Sequence, residues 1–443
     1  MKVVIIGAVA AGMSAAAKLK RIKPDYEVVV YEKTDIVSFG ACGLPYYVGG
    51  FFTDSNMMIA REKSKFIESG IDLKTFKEVI DVDTLEKILT IKDALSGEIF
   101  IDNYDKLMIA TGASSIMPSL DKSYDNLTTL KDMNDGIKLK KLISKEENKN
   151  IVIIGAGFIG IETIEAAKKL NKNIHLIGRS NRILSKVFDK EITDLLEEEL
   201  RKNNIHLHLD ETIQKYIGEE NITKVITNKS EIDCDIVVMA IGVKPNTSFL
   251  ENTNIKMLSN GAIIVDECGR TSVEDIYAAG DCASINHILK PEPAYIPLAT
   301  VANKMGRIIG ENLAGAHHTF NGSLASACLK VMNLEAGRTG LSEQEAMNLG
   351  INYKTVFITD MNQTSYYPGQ SKINVKLIYN ADTKVILGGQ IVGRKDAVQR
   401  VNVLATAIFA GLTTDQLAML DLCYAPPFAR TWDVLNIAGS VAK

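Results

Sequence analysis

Ile151-Val152-Ile153-Ile154-Gly155-Ala156-Gly157-Phe158-Ile159-Gly160 is the stretch that decides the fold. Four apolar residues in succession, without polar alternation, read as a strand buried on both faces of a parallel sheet. The glycines that follow complete the G-x-G-x-x-G fingerprint of a dinucleotide site. The first makes the tight turn, the second admits a pyrophosphate to the backbone, and the third lets the ensuing helix pack close to the strand. That helix is expected to run to about Leu170, with a partner strand from Ile174 to Ile177.

A looser copy opens the chain. Lys2 to Ile6 is a short apolar run, Gly7-Ala8-Val9-Ala10-Ala11-Gly12 leads into a helix through about Ile22, and Glu27 to Tyr31 forms the next strand. Val9 stands where the second glycine is expected, which weakens the pattern. Glu32 restores it, because a carboxylate at this strand end accepts hydrogen bonds from a ribose. The same residues, Lys2 followed by VVIIGAVAAGMSAAA, mimic a secretory signal. Cleavage there would destroy a strand–turn–helix–strand unit, so they are read as part of the fold. Two fingerprints nearly 150 residues apart indicate two nucleotide sites on two domains.

The halves share a further signal. Tyr104 to Gly112 and Asp235 to Gly242 each run through an acidic residue and an apolar strand to a glycine, at equivalent places. Glu274 to Asp281 is another such strand, ending in Gly280-Asp281 ahead of an expected small-residue helix. Asp281 can bind a chain of sugar-like hydroxyls or cap that helix, and the two roles are compatible. From about Ser323 the texture changes: apolar runs at Thr355 to Ile358, Ile373 to Ile378 and Val385 to Ile391 read as an antiparallel sheet. Helical patterns follow over Ala397 to Gly411 and Thr414 to Met419. The expected class is α/β, with two Rossmann-like nucleotide-binding domains and a C-terminal α+β domain that serves assembly.

Size and composition agree with this. A chain of 443 residues is too long for one core. With 46% hydrophobic and 23% charged residues it reads as an ordinary soluble protein, and a net charge of −4 gives no reason to propose nucleic acid or an anionic membrane as partner. Cysteines at 42, 234, 268, 282, 328 and 423 show neither CxxC nor zinc spacing, so reduced thiols in a cytoplasmic protein are expected, with no metal. No apolar run reaches the roughly 18 residues of a membrane span.

One cysteine has a special address. Ser38-Phe39-Gly40-Ala41-Cys42-Gly43-Leu44-Pro45-Tyr46-Tyr47 places a thiol among small residues, just before a helix start with Pro45 inside it. Unpaired backbone N–H groups and the helix dipole there lower a thiol pKa and make a nucleophile. A packed, inert cysteine is the plainer alternative. Proximity to the first nucleotide unit favours the reactive reading.

Together, the two fingerprints, Ala110-Thr111-Gly112, Gly280-Asp281 and the C-terminal mixed domain resemble the FAD-dependent pyridine nucleotide–disulfide oxidoreductases over essentially the whole chain. The Ser38-to-Tyr46 segment with its single cysteine, Tyr366-Tyr367-Pro368-Gly369 and Tyr424-Ala425-Pro426-Pro427 are similar to the coenzyme A-disulfide reductase branch. The paired-cysteine mechanism of other branches is excluded, since no second cysteine lies near Cys42. The resemblance implies an FAD domain over residues 1–113 and 243–322, an NAD(P)H domain over 114–242 and a dimerisation domain over 323–443.

The resemblance also assigns residues. Gly7, Ala8, Val9, Ala10, Ala11 and Gly12 would take the FAD pyrophosphate, Glu32 its ribose, and Asp281 would lie near the ribityl chain. Lys33, Val79, Ala110, Thr111, Gly112, Lys131 and Gly280 join the cofactor-binding set, as do Pro297, Leu298 and Ala299. Gly155, Gly157, Phe158, Ile159, Gly160, Arg179 and Gly242 belong to it as well. Cys42 would lie beside the flavin as the redox sulfur, carried at rest as a mixed disulfide with coenzyme A. Tyr367 and Tyr424 would orient the leaving thiolate at a homodimer interface. Ser14, Lys18 and Arg21, spaced along one helix face, would meet the phosphates of coenzyme A, with Ser38 and Asn303.

Where NADH sites carry an acid, the second fingerprint's strand ends in Gly178, and Arg179, Ser180 and Arg182 can receive a 2′-phosphate. NADPH is therefore expected to serve at least as well as NADH. His175, His206 and His208 read as packing or surface residues. The alternative activity is an NAD(P)H oxidase that reduces oxygen through a Cys42 sulfenate; the resemblance places a histidine of that branch at the position of Ala10. Persulfide or polysulfide reduction is a wider form of the first reading. A flavin electron-transfer component that makes no use of Cys42 is a third.

Overall fold

The computed structural model describes residues 1–443, which gather into two compact units. The first comprises residues 1–116, 131–137 and 243–323; the second comprises 117–130, 138–242 and 324–443.

In the first unit a parallel sheet runs in the order Ile276–Ala278, Lys106–Ile109, Lys2–Ile6, Glu27–Glu32, Asp72–Thr75. Val3 and Ile5 face a cluster built with the helices, while Val4 and Ile6 face the opposite cluster, and all four are buried. That is why the strand has no polar alternation: neither face sees water. Each such side chain contributes about 1.5–3 kcal/mol by burial. The helix after the glycine loop, Ala10–Ile22, packs on a second helix, Ala299–Leu313. The contact is too close for side chains, since a Cβ on Gly306 would stand 2.3 Å from the carbonyl oxygen of Ala11. A three-stranded antiparallel meander, Lys77–Asp83, Ile88–Asp93 and Ile99–Asn103, supplies Val79, Val82, Leu89 and Ile91 to the cluster on the other face.

One sequence expectation fails here. No helix follows Gly280-Asp281. Ala283 bridges to Ile263 and Ile285 to Ala294, so the backbone stays extended and its amides are spent on those bridges. The next helix begins only at Ala299.

The second unit repeats the plan. Its parallel sheet is ordered Ile205–Leu209, Asn173–Gly178, Asn150–Ile154, Ile236–Met239, Leu127–Thr128, with the fingerprint strand again central. The fingerprint helix is Phe158–Lys169. The C-terminal part is an antiparallel sheet ordered Ala327–Val331, Leu334–Gly340, Ile386–Gly393, Lys372–Asn380, Tyr353–Met361. Helices Ala397–Phe409, Thr414–Ala418 and Val434–Val441 accompany it.

Within this unit the C-terminal sheet is bolted to the segment that follows Gly178. Lys376, 1% exposed, sets its ammonium 2.6 Å from Glu343, 2.8 Å from Glu191 and 3.5 Å from Asp189. Gln390 donates to the Asp189 carboxylate, and Arg338 donates to the carbonyl of Val187. No helix of the chain is long and apolar enough to cross a membrane.

Candidate functional site

The first glycine loop is shaped by its neighbours. Gly7 has φ of 105°, and a Cβ there would lie 2.2 Å from the carbonyl oxygen of Ala110. Gly12 would carry a Cβ 1.9 Å from the carbonyl of Gly7. Val9 is different: its φ of −107° is open to any residue. In the second copy the middle glycine, Gly157, likewise has φ of −92°. What that glycine provides is room, because a Cβ there meets nothing within 4 Å. Val9 therefore narrows the first loop without distorting its backbone.

Both fingerprint helices begin without a side-chain cap. Some other helices are capped, as by Ser342 and Thr413 in complete capping boxes, while Lys190–Lys202 and Ala397–Phe409 also start without a side-chain cap. Amides left open at the ends of two glycine loops fit the pyrophosphates of FAD and of a nicotinamide nucleotide.

Glu32 is 8% exposed and holds the first loop from below. It accepts the Ala8 amide at 3.0 Å, and its other oxygen accepts the amide and hydroxyl of Thr34. Gly280, at φ of 86°, lies against Ala11, which brings the Gly-Asp turn to the start of the same helix. Asp281 takes the ammonium of Lys131 at 2.8 Å, and its carbonyl accepts the hydroxyl of Tyr295. Lys131 and Asp281 are thus placed together. The Thr111 hydroxyl donates to the carbonyl of Asn246 and is committed to the fold. Val79 is buried in the core and paired with Ile91, whereas Lys33 and Pro297 are exposed. Leu298 precedes the Ala299–Leu313 helix, which also begins without a side-chain cap.

Cys42 is exposed, in a 3₁₀ turn over Ala41–Gly43, and no disulfide engages it. The α-helix beyond it, Leu44–Val48, is only five residues long. The dipole invoked from sequence is correspondingly small. Position comes instead from Ser38, whose φ of 54° is left-handed. Its amide donates to the carbonyl of Ala8 at 2.8 Å, and its carbonyl accepts the amide of Ala60. A non-glycine residue held in that region stores strain, here to keep the cysteine segment against the nucleotide loop. The unit's other cysteines, Cys268 and Cys282, are buried, and burial raises both thiols.

The Ser14 hydroxyl donates to Asn303 at 2.9 Å, joining two of the residues assigned to substrate. Lys18 is not an open cation: Glu311 holds it at 2.8 Å and also faces Arg307 and His318. The Lys18 hydrogen bond keeps the Glu311 carboxyl below its ordinary value. Arg21 lies on the exposed surface of the same helix. No signal in the sequence singled out Glu311.

In the second unit Gly155, at φ of 120°, would set a Cβ 2.2 Å from the carbonyl of Ala240, and Gly160 one 2.0 Å from that of Gly155. Phe158 and Ile159 open the helix half-buried, and Gly242 is exposed across the sheet. At Gly178 a Cβ would press on Leu209 and Ala156. Arg179 and Ser180 follow it on the surface. Arg182 turns inward and donates to the Phe188 carbonyl and the Thr193 hydroxyl, so it organises the loop and is withdrawn from a 2′-phosphate. Glu162, early in the fingerprint helix, has its carboxyl pushed up to about 7 by burial and by Glu165. Of the three histidines, His206 is exposed and stacks on His175 at 4.6 Å between ring centroids, while His175 and His208 are joined by a hydrogen bond. His208 faces Glu211 and lies 3.0 Å from His175, which in turn meets Asn173. Burial, then His206 and His208, push His175 down to about 4. No group of three or more His, Cys, Asp or Glu is placed to hold a metal.

The tyrosines stand on the C-terminal part of this unit. Tyr424 meets Tyr366, hydroxyl to hydroxyl, at 3.2 Å, and all three of Tyr366, Tyr367 and Tyr424 are exposed. The partner expected from sequence was Tyr367, whose carbonyl accepts from Gln363. Tyr366, its neighbour in the chain, is not among the residues that the resemblance assigns.

Residues 1–306 match the family model described as pyridine nucleotide-disulphide oxidoreductase, and residues 326–434 match that family's dimerisation domain. An NAD(P)H coenzyme A polysulfide/persulfide reductase of Pyrococcus horikoshii is 40% identical over 443 residues, covering 100% of this chain and 98% of its own. A coenzyme A disulfide reductase of Staphylococcus aureus is 31% identical over 444 residues, covering 100% of both chains. Among solved structures, an engineered water-forming NADPH oxidase bound to NADPH superposes with a TM-score of 0.95 at 32% identity, covering 100% of this chain and 98% of its own.

Proposed function

Since the chain belongs to the pyridine nucleotide–disulfide oxidoreductase family, whose members use FAD and NAD(P)H, we propose that this flavoprotein oxidoreductase reduces coenzyme A disulfide, or coenzyme A per- and polysulfides, through Cys42. The observation that carries this reading is the hydrogen bond from Ser38 to Ala8, which ties the one exposed thiol of the first unit to the nucleotide loop.

Bound FAD supplies the two-electron link between the nicotinamide and sulfur. The Cys42 thiolate attacks one sulfur of the disulfide; the S–S bond breaks and the first coenzyme A leaves as a thiolate that takes a proton. Two electrons then cleave the Cys42–coenzyme A bond, regenerating the Cys42 thiolate and releasing the second thiol after protonation. Reduction of one disulfide thus consumes one NAD(P)H and one proton. Ser14, Asn303 and Arg21 bind the substrate's polar end, with Ser38, and Lys18 acts jointly with Glu311. Tyr424, paired with Tyr366, orients the leaving thiolate in a dimer, since a phenol hydroxyl is a hydrogen-bond donor. Arg179 and Ser180 receive the 2′-phosphate of NADPH. The engineered NADPH oxidase likewise gained an arginine and a serine at adjacent positions.

Ala10 supports sulfur over oxygen as acceptor, because a methyl group there offers peroxide chemistry no proton. The test is anaerobic NADPH turnover with coenzyme A disulfide, set against aerobic turnover without it. Faster anaerobic turnover, lost in Cys42→Ser, is the expected result. Mass spectrometry of the unreduced protein should show a coenzyme A adduct on Cys42. Equal disulfide reduction by Cys42→Ser would overturn the reading.

A further inference from the structure

Resting on the proposed role of the tyrosines, we infer that Arg400 is the residue that positions Tyr366 and Tyr424. The pair cannot hold itself together. Both phenols are exposed, and one hydrogen bond in water nets less than it costs to fix the loop residues that carry it. The constraint must come from beneath.

Arg400, on the Ala397–Phe409 helix, is 8% exposed, and its guanidinium spends its donors in one place. Nε and Nη2 clamp Asp433, at 2.9 and 2.7 Å. The same Nη2 donates to the carbonyl of Asn362 and to that of Phe428, each at 3.1 Å. Asn362 lies four residues before Tyr366, and Phe428 four residues after Tyr424. One nitrogen therefore gathers both tyrosine-bearing segments. Each segment is stiffened in turn. Asn362 closes its loop on Ser371 in both directions, and Gln363 holds the carbonyls of Tyr367 and Pro368. Asp433 caps the Val434–Val441 helix through the Leu435 amide, and Thr364 donates across to Pro426. A planar fork with five donors can serve a carboxylate and two carbonyls at once; an ammonium reaches fewer acceptors in that geometry. Buried bonds from a charged donor are also the strong ones, which lets a single side chain fix two surface loops.

The experiment uses the FAD-loaded enzyme carrying 3-fluorotyrosine, with the Tyr366 and Tyr424 resonances assigned through Tyr366→Phe and Tyr424→Phe. In the parent, removing either hydroxyl should shift the other tyrosine's fluorine resonance. Arg400→Lys should abolish that cross-effect and lower turnover with coenzyme A disulfide about tenfold, with flavin reduction by NADPH within about twofold of the parent. Because Arg400→Lys leaves Asp433 with a cation, it guards against simple unfolding; Arg400→Met with Asp433→Asn removes both charges and should give the same loss. A cross-effect that persists in either variant overturns the inference. Unchanged disulfide turnover in the parent bearing both Tyr366→Phe and Tyr424→Phe would instead overturn the catalytic role of the tyrosines, while the fluorine measurement still decides on Arg400.

Discussion

Replacing Lys376 by Met should loosen the second unit by about 3 kcal/mol at pH 7.5, and the loss should shrink on acidification. Lys376 is buried among Glu343, Glu191 and Asp189, so methionine keeps most of the volume and deletes the charge. Breaking a buried ion pair from one side costs about 3–5 kcal/mol, because the abandoned charges remain. The Glu191 and Glu343 side chains are 39% and 40% exposed and can recover solvation, which selects the lower end of that range. For a unit of this size about 3 kcal/mol corresponds to roughly 6–12 °C in melting temperature. The pH dependence has a definite sign. Burial works to raise the Glu191 carboxyl, but its hydrogen bond to Lys376 outweighs this and holds it below its ordinary value. A lowered folded pKa gives the parent stability that is present above the unfolded value and lost as pH falls through the folded one. In the variant the crowded carboxylates titrate upward, so the variant loses stability as pH rises. The gap between the two must widen from pH 5 to pH 7.5. Thermal denaturation of the FAD-loaded proteins, followed by circular dichroism, measures it, with the exposed Lys372→Met as control. Equal melting temperatures at pH 7.5, or a gap independent of pH, would refute the reasoning.

Arg179→Ala should raise KM for NADPH at least tenfold and leave KM for NADH within about twofold, since only the former carries the phosphate that the guanidinium meets; steady-state kinetics with both nucleotides decides this. Glu162→Gln should melt above the parent at pH 8 and not at pH 5. The parent's carboxyl, raised from 4.5 to about 7, keeps its proton in the fold, so its stability falls as pH rises through that window, by about 3 kcal/mol in all. Ser38→Gly should leave the alkylation rate of Cys42 by iodoacetamide unchanged, whereas Ser38→Val should alter it by at least threefold, because valine resists a φ of 54°. Tyr366→Phe should slow disulfide turnover more than Tyr367→Phe does, as judged by stopped-flow reoxidation of the reduced enzyme with coenzyme A disulfide.

What could be read from the sequence was whatever local physics fixes by itself. Both glycine fingerprints were legible because a Cβ on Gly7, Gly12, Gly155 or Gly160 would stand about 2 Å from a backbone oxygen, a demand no other residue can satisfy. The strands Lys2–Ile6 and Asn150–Ile154 were legible because two buried faces leave an unbroken apolar run. Non-local pairings were not. The helix expected after Asp281 gave way to bridges with Ile263 and Ala294, which lie outside any local window. Arg182 had the composition of a phosphate ligand, yet the Phe188 carbonyl and Thr193, on the next helix, claim it. Lys18 was legible as a cation but not as the partner of Glu311, nearly 300 residues away. The two meanders, over 77–103 and 213–233, alternate weakly, since their outer faces carry exposed isoleucines such as Ile99 and Ile101 alongside charges.

The irregular glycine loop and the lone cysteine are two ends of one arrangement. The peptide groups flanking Ala8 are engaged on both sides: its amide donates to Glu32, and its carbonyl accepts from Ser38. A loop held this way does not depend on a glycine at its second position for its conformation, and Val9 sits there with an unstrained φ of −107°. The second copy is held the same way on one side, Leu184 at φ of 48° donating its amide to the Ala156 carbonyl at 2.8 Å, and there Gly157 leaves the approach open. Ser38 adopts the left-handed conformation in which its amide reaches Ala8, as Leu184 does toward Ala156. The gain is positional: the loop assigned to a pyrophosphate also fixes the start of the turn that carries Cys42. The proposed exchange of electrons between Cys42 and a cofactor needs its distance set to a fraction of an ångström, and sharing one peptide between the two tasks would set it.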